Sequence, residues 1–142
     1  MTTQKKWLAS LGLCAALSAT AAPAVVEVVA PPEPQQYNNL QVINGGASFE
    51  EVAAIKRIAP QYKLRVEISG RGGDWYVADR LRVVKGDQIV AEIPDAGPWL
   101  LMDVPPGQYT LEGEFEGHLV KHNVTVAANG ANVSMVAPPT VD

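Results

Sequence analysis

Two histidines, His118 and His122, are the residues of this sequence best suited to bind a metal or move a proton, and they stand four positions apart. A zinc site of the peptidase type needs three protein ligands around one ion. No acidic residue lies between the histidines, and both fall in an expected strand, where residues four apart are separated by roughly 13 Å. The sequence therefore predicts no metal site. His122 is in phase with Val120 and Val124, so we expect it to be the more buried histidine.

The residues for nucleophilic catalysis are missing as well. No serine occupies a G-x-S-x-G turn, and the single cysteine, Cys14, lies in an apolar run near the start of the sequence. Aspartates are frequent beside the predicted turns, where they usually serve turn geometry, and no D-x-D-x-D spacing predicts a calcium loop. We expect a protein without catalytic residues or cofactor. A hydrolase with an unfamiliar site is the last of our hypotheses.

The best candidate for binding is the segment at residues 71–76, which has the sequence Arg-Gly-Gly-Asp-Trp-Tyr. It places a cation, a carboxylate and two aromatic rings beside a pair of glycines. Aromatic rings on such a loop stack on sugar rings or anchor a protein partner. Arg71, Asp74, Trp75 and Tyr76 are therefore the predicted binding residues. The alternative is a plain hairpin loop whose Trp75 folds onto the core.

Acidic side chains alternate along one predicted strand, at Glu112, Glu114 and Glu116. Such a row is typical of a solvated sheet face whose charges discourage edge pairing. The alternative is a strip for electrostatic docking. Neighbouring strands offer basic cross-strand partners, namely Arg80, Arg82 and Lys121.

The first residues have the order of a secretory signal peptide. Lysines at residues 5–6 precede an apolar run at residues 7–17 and small residues at 18–24, and the run is too short to span a bilayer. The Ala-Pro-Ala at residues 22–24 fits an A-x-A cleavage site, and the Ala-Thr-Ala at residues 19–21 is the second choice. We therefore expect a periplasmic or secreted protein.

Cleavage after Ala24 leaves nine basic and 15 acidic residues, a net charge of −6 and no cysteine. Because no basic stripe is present to neutralise phosphates, nucleic acid is not an expected partner. No stable membrane span is expected after cleavage. Lipidation at Cys14 is the disfavoured alternative, because Leu13 stands where that motif has Gly or Ala.

One helix is predicted, over residues 48–59. Ser48 is its expected N-cap, Glu51 completes a capping box and Pro60 ends the helix. The apolar stripe expected to face the core comprises Phe49, Val52, Ile55, Ile58 and Ala59.

Short strands follow the helix at regular spacing, separated by Gly, Pro, Asn and Asp turns. The predicted strands include residues 62–68, 75–78, 80–84, 88–93, 109–116, 118–126 and 131–136, with a weaker candidate at 37–43. This pattern predicts a mainly β chain, an antiparallel β-sandwich of about seven strands with one short N-terminal helix.

Residues 97–117 are the most informative stretch for the fold. They predict two short strands joined by a tight turn at residues 105–107, where two prolines fix φ and a glycine supplies the positive φ of a type II turn. Tyr109, Leu111 and Phe115 then lie on one face of the second strand. Asp-Val-Pro-Pro-Gly-Gln-Tyr-Thr-Leu followed by Glu-Phe-Glu-Gly resembles the core of carboxypeptidase regulatory-like domains, which are transthyretin-like (prealbumin-type) sandwiches.

This resemblance covers residues 62–136 and implies a transthyretin-like fold that mostly serves as a non-catalytic module. Residues 44–54, a Gly-Gly pair and a capped helix, are similar to small proteobacterial envelope proteins that carry such a domain. Hydroxyisourate hydrolase shares the fold, but its Tyr-Arg-Gly-Ser C-terminus is absent from residues 137–142. The resemblance therefore does not extend to that activity.

The predicted organisation is a signal peptide at residues 1–24, a Pro-rich extended spacer at 25–36, the helix and sandwich at 37–136 and a tail at 137–142. As an alternative to forming part of the spacer, residues 25–29 are expected to pair with the edge of a sheet. The leading hypothesis is an exported non-catalytic module that binds an envelope protein or glycan. The alternative is a structural accessory that assembles through its sheet edges or its Val-rich N-terminal segment.

Overall fold

The computed structural model describes residues 28–139, which fold mainly into β-strands. One α-helix, α1 (Phe49–Ile58), continues into a short 3₁₀ turn at Ala59–Gln61. In chain order the elements are β1 (Gln35–Tyr37), β2 (Leu40–Gly45), α1 (Phe49–Ile58), β3 (Leu64–Ser69), β4 (Ala78–Lys85), β5 (Gln88–Ala96), β6 (Trp99–Met102), β7 (Gly107–Phe115), β8 (His118–Val126) and β9 (Ala131–Val136).

The strands form two sheets that pack face to face. Sheet A has the order β1-β2-β6-β3-β9, and sheet B has the order β5-β4-β7-β8. The predicted fold class, a mainly β sandwich with one short N-terminal helix, is confirmed. The described residues hold nine strands where about seven were predicted. Neighbouring strands are antiparallel except β3 and β9, which run parallel.

The main core lies between the sheets and is built from alternate residues of their strands. In β3 and β7 a buried position follows each less buried one along most of the strand, as the period of two predicts. The side chains of Met135 and Phe115 pack directly against Gly113. A Cβ at this position would lie 2.6 Å from the sulfur of Met135 and 2.9 Å from the ring of Phe115. The glycine therefore makes room for a methionine from the opposite sheet.

The Pro-Pro-Gly segment does not form the predicted hairpin turn. β6 lies in sheet A and β7 in sheet B, so residues 103–106 carry the chain from one sheet to the other. Gly107 has a φ of 158°, whereas the third residue of a type II turn has a φ of about +80°. Gly107 instead begins β7, and the buried Val104 anchors the crossing to the core.

Tyr109 ties residues 103–106, which connect the two sheets, to the start of β7. Its side chain is buried, and its hydroxyl donates a 2.6 Å hydrogen bond to the carbonyl oxygen of Pro105. Burial raises the pKa of Tyr109 above its ordinary value of 10.0, because the ionised phenolate loses water there.

Tyr109→Phe is expected to lower the free energy of unfolding by about 0.5–1.5 kcal/mol at neutral pH, since the Pro105 carbonyl loses its donor. A phenol whose pKa rises on folding stabilises the protein below its unfolded pKa of about 10 and loses that contribution as the pH rises through the folded value. The unsubstituted chain should therefore lose stability more steeply than the variant above about pH 10. Urea unfolding at neutral and alkaline pH measures both curves, and parallel curves would contradict the assignment.

α1 begins with the predicted cap. The Ser48 hydroxyl accepts the backbone N–H of Glu51 at 3.1 Å, as an N-cap does. The Glu51 carboxylate reaches back beyond Ser48 and accepts the N–H groups of Gly46 and Ala47 at 2.5 and 3.1 Å. This pair of contacts orders the turn between β2 and the helix.

Beneath α1 lies a second apolar cluster that is separate from the main core. Its buried members are Ile43, Ile55 and Leu101, and Trp99 packs against them. Trp99 and Leu101 are in phase, but they lie under the helix on the outer face of sheet A rather than between the sheets. Phe49, predicted for the buried stripe, is 80% exposed, because the first helical residue lies beyond this cluster.

Three segments differ from their predictions. β1 begins at Gln35, inside the predicted spacer, and a two-residue turn at Asn38 and Asn39, with φ of 55° and 84°, folds it back onto β2. Residues 75–78 are not a separate strand; Trp75 makes one isolated bridge. The first residue of the predicted tail, Ala137, is buried and bonded to β3.

The predicted signal peptide, its cleavage site and Cys14 lie outside the described residues. Within residues 28–139, no helix is long and apolar enough to cross a membrane.

Candidate functional site

The predicted binding segment is a closed loop that follows β3. The N–H of Gly70 donates to the carbonyl oxygen of Asp74 at 2.7 Å, and the N–H of Gly73 donates to that of Gly70 at 3.0 Å. An isolated bridge between Ser69 and Trp75 closes the base of the loop. Gly73 has a φ of 89°, which glycine adopts at little cost, so the local sequence permits this tight reversal.

Trp75 packs against the exposed Phe49 of α1. The two ring centroids lie 5.2 Å apart, with 58° between the ring planes. Trp75 is half-buried, and neither ring belongs to the main core or to the cluster beneath α1. Trp75 is therefore placed at the surface by the helix start, not folded onto the core.

The other predicted residues of the loop occupy different environments. Tyr76 faces inward, with its ring centroid 5.9 Å from that of Phe115, and packs against the main core. Arg71 and Asp74 are exposed. The structure thus brings Asp74 and Trp75 to the same surface as Phe49, whereas Tyr76 anchors the loop from below.

Two shallow depressions flank the loop. One, of about 350 Å³, is lined by Phe49, Gly73, Asp74 and Trp75. The other, of about 280 Å³, lies between the loop and residues 137–139 and includes Arg71 and Asp74. Enclosed pockets for small ligands usually occupy about 300–1,000 Å³ and surround most of the ligand. These open depressions better suit one sugar ring or one side chain of a larger partner.

We call the surface formed by Phe49, Asp74 and Trp75 the aromatic patch. Its rings offer apolar area, and the indole N–H and the carboxylate of Asp74 add a donor and an acceptor. The tilt between the rings leaves their faces at an angle rather than stacked flat. This arrangement can hold a partner through ring contacts and orient it through one or two hydrogen bonds.

The two histidines do not form a site with other ligands. His118 and His122 are both exposed on β8. The phase that His122 shares with Val120 and Val124 does not bury it, because β8 is an edge strand of sheet B and its neighbours cover only part of its inner face. Among the side chains of residues 28–139, no three of the His, Cys, Asp or Glu type are grouped to hold a metal ion.

The outer face of sheet B carries a row of ion pairs. Arg82 contacts Glu92 at 3.0 Å and Glu112 at 3.3 Å, Lys121 lies 3.8 Å from Glu112, and Arg80 lies 3.5 Å from Glu92. The hydrogen bond to Glu92, followed by that to Glu112, raises the pKa of Arg82. Glu112 thus has the basic cross-strand partners that the sequence offered, and its charge is balanced within the sheet.

A further groove of about 300 Å³ crosses the outer face of sheet A, and its polar lining residues are Arg65, Glu67, Asn132 and Ser134. The Arg65 guanidinium already donates to the Asn132 side chain and to the carbonyl of Tyr62. Trp99 also lines the groove, and its indole N–H is buried without a partner among the described residues. Because the Arg65 guanidinium is already bonded and the unpartnered indole N–H of Trp99 is buried, this groove is a weaker binding candidate than the aromatic patch.

Phe49 is the site residue that sequence reasoning missed. Its spacing matched the apolar stripe of α1, which predicted burial, yet the buried part of the helix starts at Val52. The available signal was its place at the first helical position, directly after the N-cap Ser48.

No protein-family model matches the chain, and no curated protein matches it.

Proposed function

We propose that this chain is an exported, non-catalytic β-sandwich module that binds an envelope protein or glycan through the aromatic patch. The observation that carries the proposal is Phe49, which is 80% exposed and lies against Trp75. Two aromatic rings that adjoin at the surface contribute little to the core, whereas aromatic residues are the commonest anchors of binding surfaces.

The patch is held in place before any partner arrives. Phe49 stands on the first turn of a capped helix, and the Ser48 and Glu51 contacts order that turn. Trp75 closes a loop that backbone hydrogen bonds hold from both sides. A preformed surface loses less conformational freedom on binding, which favours affinity.

The remaining parts of the proposal come from the sequence. The resemblance of residues 62–136 to carboxypeptidase regulatory-like domains supports a role as a module rather than an enzyme. The order of charged, apolar and small residues at positions 1–24 supports export. Together they support a partner in the periplasm or outside the cell.

Photo-crosslinking tests this proposal. A photoreactive phenylalanine analogue at position 49 of the full-length chain, expressed in the cells that encode it, is expected to capture a protein of discrete mass or a sugar-containing product. The matched control carries the same analogue at Ile89, which is 47% exposed on β5, and should capture neither. Equal capture at the two positions, or none at position 49, would overturn the proposal.

A further inference from the structure

β8 is a long and regular free edge of sheet B. It pairs with β7 in an unbroken register from Gly107↔Val126 to Phe115↔His118. Among the described residues, no strand pairs with its other side. A strand with a free row of N–H and C=O groups is a template for pairing with another strand.

The other sheet edges carry features that limit pairing, and β8 has none of these. β1 is three residues long. β5 contains Pro94 and Asp95, the latter with a φ of 47°, and its pairing with β4 is irregular between Val83 and Val84. β9 is six residues long and is soon followed by Pro138. β8 has nine residues, no proline and a continuous register with its neighbour.

The turn before β8 shows which backbone groups face the free edge. Glu116 and Gly117 have φ of 49° and 83°, the signature of a two-residue type I′ turn that bonds Phe115 to His118. In an antiparallel pair, alternate residues bond to the neighbouring strand. Counting from His118, the residues whose N–H and C=O groups point away from β7 are Leu119, Lys121, Asn123 and Thr125.

The side chains leave this edge open. Leu119 is 51% exposed, and Asn123 and Thr125 are exposed as well. A lysine on an edge strand often blocks pairing, but Lys121 lies 3.8 Å from Glu112 of β7. Its charge is therefore directed across its own sheet face rather than beyond the edge.

We propose that β8 pairs antiparallel with β8 of a second copy of this chain, with His122 on the two-fold axis. Leu119 then faces Thr125 and Lys121 faces Asn123 of the second copy, so that all four outward residues form bonded pairs. Pairing through β8 does not involve the aromatic patch, and it assigns one edge and one partner to the assembly through sheet edges that the sequence left open.

The neighbouring registers are less favourable. A shift of two residues in one direction places Lys121 opposite its own counterpart, and directly opposed like charges destabilise a sheet. A shift of two in the other direction moves Leu119 beyond the end of the opposing strand. A contact along one strand is smaller than the roughly 1,200–2,000 Å² of a standard interface, so we expect a dissociation constant of about 1–100 µM.

Disulfide formation tests the register. In a Cys14→Ser background, His122→Cys places two thiols directly opposite each other, with Cβ atoms about 4.5–5.5 Å apart, close to the span of a disulfide. Leu119→Cys is the matched control, because its two copies would lie roughly 20 Å apart. Mild oxidation should yield a covalent dimer from the first variant and not from the second. Absence of the dimer, or equal dimer from both variants, overturns the proposal.

Light scattering tests the association without cysteine. Thr125→Pro removes one outward N–H, and proline is tolerated at such an edge position, whereas Thr125→Val keeps the N–H and the branched shape. At about 200 µM, above the expected dissociation constant, the unsubstituted chain and the valine variant should be dimeric and the proline variant monomeric. A monomeric unsubstituted chain, or a proline variant that still dimerises while circular dichroism shows it folded, contradicts the proposal.

Discussion

Phe115→Ala should lower the free energy of unfolding by about 3–5 kcal/mol, the usual cost of removing a buried phenylalanine ring. Phe115 is 1% exposed and is among the largest fully buried side chains of the described residues. Its ring lies against Tyr76 and beside Gly113, so the variant leaves a cavity between the two sheets. Domains of this kind have a total stability of about 5–15 kcal/mol, and the variant should retain only part of it.

Thermal unfolding followed by circular dichroism measures this effect. The expected loss corresponds to a fall in Tm of about 12–20 °C for a domain of this size. Phe49→Ala is the matched control, because Phe49 and Phe115 are the two phenylalanines of the chain. Phe49 is 80% exposed, and surface substitutions usually change stability by less than about 0.5 kcal/mol. Comparable losses in the two variants would show that Phe49 is part of the folding core.

The aromatic patch should behave in the opposite way. Phe49→Ala and Trp75→Ala are each expected to weaken binding of the partner captured at position 49 by roughly 5- to 30-fold, since anchoring residues contribute about 1–2 kcal/mol or more. If the two losses add, the double variant should bind roughly 25- to 900-fold more weakly; if the rings act as one unit, it should resemble the stronger single variant. Titration calorimetry with that partner gives all three affinities.

The control for binding is Ile89→Ala. Ile89 is also an exposed apolar residue, but it lies on β5, outside the aromatic patch. It should leave affinity and Tm unchanged. If Phe49→Ala and Ile89→Ala bind equally well, the patch is not the contact surface. A loss of affinity in Trp75→Ala that comes with a large fall in Tm would assign that ring to loop stability instead.

Dimerisation through β8 is expected to strengthen binding through the aromatic patch. A dimer joined along sheet B carries two aromatic patches, and a partner with repeated sites can engage both. The second contact then occurs at high effective concentration, which strengthens overall binding without any new contact. Thr125→Pro should therefore weaken binding to a repetitive partner such as a glycan polymer more than binding to a single sugar unit.

Local patterns were sufficient for several elements. The predicted spans of β8 and β9, residues 118–126 and 131–136, match the strands of the structure. The alternation in β7 and the Ser48 cap of α1 were also visible in the sequence. These features depend on side-chain period and on capping within one turn, which are encoded by residues close together in the chain.

The sequence also contains signals for β1 and for the turn that follows it, which the predicted spacer did not take into account. Asn38 and Asn39 form a two-residue turn with positive φ at both positions, which such residues favour. The predicted extended spacer at residues 25–36 overlaps β1, which begins at Gln35. Asn44 lies near the end of β2, and its side chain accepts the N–H of Gly97 at 2.8 Å and donates to the carbonyl of Asp95 at 3.0 Å. It thereby links β2 to the segment that connects sheet B with sheet A.

Residues 97–117 show where sequence reasoning ends. Their strands and their buried face were predictable, because a period of two is local. That β6 and β7 lie in different sheets was not, since a Pro-Pro-Gly segment fits a hairpin turn as well as a crossing. The exposure of Phe49 beside Trp75, and of His122 on an edge strand, likewise depends on which distant segments cover each position. Tertiary packing alone decided these points, because sheet membership and coverage arise from contacts between residues far apart in the chain.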